Sequence, residues 1–262
     1  MAIARAPRRL HHERIMLISL LADIHANREA LTACLAHAQS VGAERTVFLG
    51  DLVGYGADPG WVVDTVAEHC SKGALCVRGN HDDAVLSEPR DTMREEARAV
   101  VSWTRDHLNP DQRAFLGALP YQAELDDMLF VHANAWAPQR WEYIQSSFDA
   151  RSSMAATQCR LTFCGHMHEP QLYHMGTDWR ASAFTPTPGV AIPLGTQRRW
   201  LCIPGSVGQP RDGSPAACSA LFDSVSRRLT FYRIPYDTAA ATAKIRGAGL
   251  PANLGTRLEQ GR

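Results

Sequence analysis

The sequence predicts an α/β protein built as a two-sheet α/β/β/α sandwich, with mixed sheets facing each other and helices on the outer faces. Two observations lead there. In the first half, short apolar runs alternate with stretches of helical period, the pattern of parallel βαβ units. From Gln171 onward, short strands and turns follow one another, which favours antiparallel pairing. At 262 residues the chain is at the upper end for one α/β domain. The expected organisation is a flexible extension over residues 1–14, a single domain over 15–250 and a loose tail over 251–262.

The elements follow in order. Ile15–Ala22 reads as a buried strand, and Asn27–Ser40 as a helix with Leu31, Leu35 and Ala38 on one face. Thr46–Leu49 is a short strand ending at Gly50-Asp51. Asp58 then offers an N-cap with Pro59 at the first helical position, and the helix runs on through Trp61–Cys70. Ala74–Val77 is a third strand, ending before Gly79-Asn80-His81-Asp82. A helix over Thr92–Leu108 is followed by a short one restarting at Asn109-Pro110. Strands Met128–Val131 and Leu161–Cys164 end at His132 and Gly165-His166. Strands Gln171–Met175, Arg199–Ile203, Cys218–Asp223 and Leu229–Ile234 follow, and Asp237–Ala248 closes as a helix. Gly176–Arg199, rich in Pro and Gly, reads as an inserted loop.

Hydrophobic residues at 45% and charged residues at 21% suit a globular chain with a real core. Lys+Arg and Asp+Glu both total 27, a balance that does not favour nucleic-acid or membrane partners. Residues 1–14 hold four Arg against Glu13 alone, a net charge of +3. That segment is a basic arm that touches phosphate, a disordered extension, or the product of an upstream start codon with Met16 the true initiator. The longest apolar run, Ile15–Ala22, is too short to span a bilayer and lacks a signal-peptide cleavage site. Seven cysteines without CxxC spacing point to a reducing compartment, here the cytoplasm.

Five strand-like segments each end in residues able to bind a metal: Asp23-Ile24-His25, Asp51, Asn80-His81, His132 and His166-Met167-His168. Residues two apart in an extended stretch point the same way, so each D-x-H or H-x-H pair can serve one place. Taken singly, each has an ordinary reading as a cap, a turn or a core histidine. Together they place ligand types on one sheet edge, where open α/β sheets bind ligands. Carboxylates mixed with imidazoles suit Mn, Fe or Zn. Seven such residues exceed the needs of one tetrahedral ion, and two ions sharing a carboxylate can clamp a phosphoryl group.

In this order, Asp23-Ile24-His25, Gly50-Asp51, Gly79-Asn80-His81-Asp82, Val131-His132 and Gly165-His166-Met167-His168 resemble the calcineurin-like metallophosphoesterase superfamily. The wording of Ser19–Asn27, Phe48–Pro59, Val77–Asp82 and Pro204–Asp212 is similar to its small bacterial and archaeal phosphodiesterase branch. The resemblance implies the two-sheet sandwich of the metallophosphoesterase type. It also implies one metal held by Asp23, His25, Asp51 and His168, and a second by Asp51, Asn80, His132 and His166. A hydroxide held between them would attack phosphorus in line. His81 resembles the family's proton donor to the leaving oxygen, with Asp82 or Asp83 orienting it; some members of the branch carry Cys there. Two divalent cations are expected, Mn first, with Fe, Zn, Ni or Co as alternatives.

After His132 the chain departs from the branch pattern and reads Ala133-Asn134-Ala135-Trp136-Ala137-Pro138-Gln139-Arg140-Trp141-Glu142-Tyr143. The aromatic residues are a substrate wall, stacking on a base or aromatic leaving group, or local packing, which is the favoured of the two. Arg140 and Arg211 are candidate phosphate contacts. The expected activity is that of a phosphodiesterase. The alternatives are a phosphomonoesterase acting on phosphoproteins or nucleotides, a dinucleoside polyphosphate hydrolase and a catalytically silent scaffold. The expected partner is a small phosphoester or nucleotide-type substrate, not a membrane or a nucleic acid; oligomeric state stays open.

Overall fold

The computed structural model describes residues 17–88 and 95–262. The expectations for residues 1–14, and for the first residues of the helix expected over Thr92–Leu108, lie outside the described residues. In chain order the elements are β1 (Leu17–Leu21), α1 (Arg28–Ser40), β2 (Arg45–Phe48), α2 (Pro59–Ser71), β3 (Leu75–Cys76), α3 (Asn80–Ala84), α4 (Glu95–Asp106) and α5 (Pro110–Ala118). They continue with β4 (Gln122–Leu125), β5 (Met128–Val131), α6 (Ser147–Ala155), β6 (Leu161–Phe163), β7 (Gln171–Met175), β8 (Ala181–Phe184) and β9 (Ala191–Pro193). The last are β10 (Arg199–Ile203), β11 (Ala217–Asp223), β12 (Arg228–Ile234), α7 (Thr238–Gly247) and α8 (Ala252–Gln260).

The strands form two six-stranded sheets, ordered β3-β2-β1-β11-β12-β9 and β4-β5-β6-β10-β7-β8. Each has a parallel trio, β1 with β2 and β3 in the first and β5 with β6 and β10 in the second. Antiparallel strands flank both trios. Alternation along the strands builds the layers. Ile18, Leu20, Phe222 and Phe231 of the first sheet meet Phe130, Phe163, Leu161 and Leu172 of the second in the central core. The opposite faces of the same strands pack on helices. Leu21 and Phe48 meet α1 and α2, and Leu129 and Val131 meet Ala150 and Met154 of α6. Each fully buried Phe or Leu contributes roughly 1.5–3 kcal/mol over its exposed state. The predicted sandwich is the architecture observed.

Three local expectations change. The 251–262 tail is not loose: α8 buries Leu254 and Leu258 against Ala241 and Ile245 of α7. Two apolar residues at i,i+4 in a polar stretch suffice once a partner helix is there to cover them. The Gly176–Arg199 loop contains β8 and β9, the edge strands of the two sheets, which ladder pairing orders despite their turn-rich flanks. Asp58 precedes α2 as expected but makes no cap hydrogen bond. Its carboxylate accepts instead from Lys244 Nζ at 2.7 Å, because α7 docks beside it. The caps at Asn27 and Asn109 do form, each side chain accepting a backbone N–H three residues on. Strand β4 and helix α6 carry no apolar period strong enough to predict.

Candidate metal centre

All six parallel strands point their carboxyl ends to one edge of the sandwich. Beyond β1 come Asp23 and His25, beyond β2 Asp51, and beyond β3 Asn80 and His81. Beyond β5 comes His132, beyond β6 His166 and His168, and beyond β10 the turn leading to Gln209 and Arg211. The first sheet therefore delivers four of the seven donors and the second three.

The local geometry is not the extended one expected. Asp23, His25, Asp51, His166 and His168 sit at φ of 53, 49, 53, 70 and 63°, in the left-handed region. Side chains within each D-x-H and H-x-H pair converge because both flanking residues turn left-handed, not because the strand continues. Such backbone costs about 1–3 kcal/mol per residue and persists only where the surroundings hold it. Cross-ties do this: Asp23 N–H donates to Gly50 O, His25 N–H to Asp51 O, Gly165 N–H to His132 O and Gly208 N–H to Asp23 O, all at 2.8–3.1 Å. Gly79 is required by close approach, since a Cβ there would collide with Asp51 Oδ1 and its backbone nitrogen.

Three donor groups form, each with ligand atoms within 4.8 Å of one another: Asp23, His25 and His168; Asp51, His132 and His166; and His25, Asp51 and His81. Asp51 Oδ2 stands between the first two, 3.8 Å from His25 Nε2 and 3.3 Å from His132 Nε2. Asn80 Oδ1 lies 3.1 Å from His132 Nε2, so Asn80 belongs with the second group. All seven sequence-predicted donors meet at this one place.

Backbone carbonyls set the tautomers. Nδ1 of His25, His132 and His168 faces Val53 O, Leu49 O and Gln209 O at 3.1, 2.8 and 2.7 Å. A carbonyl can only accept, so those Nδ1 atoms carry protons, and the neutral rings of His25 and His168 aim Nε2 lone pairs inward while His132 turns its Nε2 toward Asp51. His166 is reversed, its Nε2 facing Trp141 O at 3.0 Å and its Nδ1 facing inward. Burial drives His25 and His168 well below the ordinary histidine range, and His166 down to about 3. Burial raises Asp23 to about 7, with Asp51 adding to it against the pull of His132. Burial also opposes the charge on Asp51, yet His132, His81 and His25 hold its carboxyl well below its usual value. Burial works against charge on His132, but Asp51 and Asp23 lift it to about 9. Lone pairs converging around two buried carboxylates form a donor set that fits divalent cations.

The residues beside the cluster sort differently from expectation. His81 donates its backbone N–H to Asp51 Oδ1 at 2.8 Å, and its ring meets His25 edge-on with centroids 4.9 Å apart. Asp82 does not orient that ring. One carboxylate oxygen accepts from the Leu52 and Val53 N–H groups and the other from Gly79 N–H, so Asp82 props the loops that carry Asp51 and Asn80. Asp83 is likewise occupied, by Arg78 and Tyr121. Arg140 ends a short 3₁₀ turn and is exposed. Arg211 is the nearer guanidinium: it lies 6.0 Å above the Tyr55 ring and its charge is felt at Asp23, His25, His81 and His168.

Tyr55 escaped sequence reasoning. Its ring packs on His25 and His81 with centroids 4.6 and 4.5 Å away, and its φ is 63°. The signal was its flanking glycines: a Cβ at Gly54 would strike the His81 ring, and one at Gly56 would strike His25 O. The aromatic segment after His132 divides. Trp136 packs toward the outer core and donates Nε1–H to Glu142, whereas Tyr143 stacks flat on His166 with centroids 4.0 Å apart. Trp141 holds His166 through its carbonyl, and buried Asn134 ties that corner down by bonds to Glu142 O and Ala137 N–H.

Residues 16–227 match the model of the calcineurin-like phosphoesterase superfamily domain. The uncharacterized protein MJ0912 of Methanocaldococcus jannaschii is 33% identical, over 94% of this chain and 98% of its own length. The crystal structure of a metallophosphoesterase from Sphaerobacter thermophilus is similar at a TM-score of 0.84 and 34% identity, covering 95% of this chain and all of that one. The hypothetical protein PH1004 of Pyrococcus horikoshii shares the fold at a TM-score of 0.76 and 18% identity, covering 94% and 99% of the two chains. The chain belongs to the calcineurin-like phosphoesterase superfamily and is a metal-dependent phosphoric ester hydrolase.

Proposed function

We propose that the chain is a phosphodiesterase acting on small phosphoesters, with Asp23, His25, Asp51 and His168 holding one divalent cation and Asp51, Asn80, His132 and His166 the other. When bound, the two cations neutralise phosphate charge and supply the nucleophile. His81, beside the cluster and within the same cleft, gives a proton to the departing oxygen. Burial keeps its pKa below the ordinary histidine value, against the pull of Asp51, which weakens it as a resting cation and strengthens it as a donor. Arg211 seats a non-bridging phosphate oxygen.

One observation carries the choice of diester. Among the described residues, the cleft beside the cluster contains no Lys or Arg and does contain Asp83 and Glu88. A diester brings one negative charge and a second organic group, which such a cleft accepts. The cleft itself is lined by no Lys or Arg that could take the extra charge of a polyphosphate chain, since the arginines beside it, Arg78 and Arg105, are paired with Asp83 and Glu88. Manganese is the favoured metal on ligand type, with Fe, Zn, Ni and Co as alternatives. A cytoplasmic setting agrees with seven free cysteines. Among the described residues no helix is long and apolar enough to cross a membrane.

The test is hydrolysis of bis-p-nitrophenyl phosphate against p-nitrophenyl phosphate by protein loaded in turn with each of these metals. The diester should have the higher kcat/KM. A faster monoester would make the chain a phosphatase.

A further inference from the structure

A cleft of about 450 Å³ opens beside the donor cluster. Asn80, His81 and His166 form its inner end, and Tyr55, Trp141 and Tyr143 form aromatic walls. Its acidic groups are already compensated, Asp83 by Arg78 at 3.2 Å and Glu88 by Arg105 at 2.8 Å. Away from the polar inner end and Ser87, what remains open to a ligand is apolar and aromatic.

Tyr143 has a particular posture. One ring face lies flat on His166, with an interplanar angle of 14°. The residue is still 46% exposed, so the other face is uncovered. That face lines the cleft beside the donor cluster, where a flat ring can stack on it. The ring is also held in place before any ligand arrives. Trp141 turns left-handed at φ 57° and its carbonyl is tied to His166 Nε2, which sets the direction in which residue 143 leaves the corner. A platform fixed in advance loses little freedom on binding. Across the cleft, Tyr55 is fixed as firmly by its contacts with His25 and His81.

We infer that Tyr143 is a specificity-determining residue: the departing ester group carries a flat aromatic ring, a nucleobase or an aryl group, that stacks on its free face while His81 meets the ester oxygen. The inference rests on the phosphoesterase reading of the site. In the reaction, the P–O bond to the ring-bearing group breaks, the oxygen of water takes its place on phosphorus, and a proton ends on the departing oxygen. The ring's chemistry enters only through stacking.

The experiment uses calorimetric binding to the Mn-loaded full chain, with three probes sharing one phosphate: AMP, phenyl phosphate and ribose 5-phosphate. AMP, phenyl phosphate or both should bind about tenfold or more tightly than ribose 5-phosphate. Tyr143→Ala should abolish that difference and leave ribose 5-phosphate unchanged, which also shows that His166 is undisturbed. Tyr143→Phe should retain it, which guards against a misfolded Ala variant. Preference for AMP alone identifies a nucleobase; equal gain for phenyl phosphate identifies any aryl group. Equal affinity for all three in the wild type, or an equal loss for all three in Tyr143→Ala, overturns the inference while turnover of bis-p-nitrophenyl phosphate leaves the phosphodiesterase reading intact. No binding of any probe together with no turnover overturns both.

Discussion

The Nε2 atoms of His25 and His168 face each other at 3.1 Å, each in a ring whose Nδ1 proton is committed to a backbone carbonyl. Two lone pairs directed at one another inside a protein repel unless a positive charge lies with them. The relationship joins the two sheets, since one ring follows β1 and the other β6.

Metal binding should accordingly add stability as well as activity. A cation present at about 100 times its Kd contributes roughly 2.7 kcal/mol, or roughly 5–10 °C in a chain of this size. Scanning calorimetry of chelated against Mn-loaded protein measures it, and His168→Ala should lower the bound metal from two ions per chain toward one. An unchanged Tm and an unchanged metal content would count against the assignment.

Replacing His81 should affect turnover according to the leaving group. His81→Ala is expected to slow hydrolysis of an alkyl ester by about 10²–10⁴-fold and that of a nitrophenyl ester much less, since nitrophenolate needs little help from a proton. Equal rates for wild type and variant on the alkyl ester would remove the general-acid role.

Asp82 makes a different kind of prediction. Its carboxylate serves three buried backbone N–H groups, so Asp82→Ala leaves them unsatisfied and should cost roughly 2–5 kcal/mol in urea unfolding. A variant of normal stability but low kcat would instead return Asp82 to the chemistry.

Lys244 joins α7 to the starts of α1 and α2 through Glu29 at 2.6 Å and Asp58 at 2.7 Å. Burial lowers its pKa somewhat, but the two carboxylates raise it above 10.5 overall. A raised lysine pKa contributes stability that is complete below the unfolded-state value and lost as pH climbs through the folded one. Lys244→Met should therefore lower Tm slightly near neutral pH, with the gap closing above pH 10.5. Solvent exposure keeps the effect under about 1 kcal/mol. A gap that stays constant into that alkaline range would show that packing, not charge, holds the helix.

Much of the site was legible because ligand chemistry is carried by residue type. Asp23, His25, Asp51, Asn80, His132, His166 and His168 stand at the ends of apolar runs, and hydrophobic period locates those ends without knowledge of the fold. Asp82 was misread for a related reason. Proximity to His81 in the chain suggested contact with its ring, whereas a helical turn directs neighbouring side chains apart. Tyr55 carried only the faint mark of its two glycines, and α8 only Leu254 and Leu258.

Composition and pattern thus indicated the sandwich, the order of its main strands and, together with the family resemblance, the candidate donors, since local period and side-chain chemistry are properties of short segments. The tertiary structure decided which lone pairs face one another, that Arg211 approaches the cluster while Arg140 stays outside, and that Tyr143 lies on His166. These depend on left-handed corners and on carbonyls more than twenty residues away, and only the joining of the two sheets brings them together.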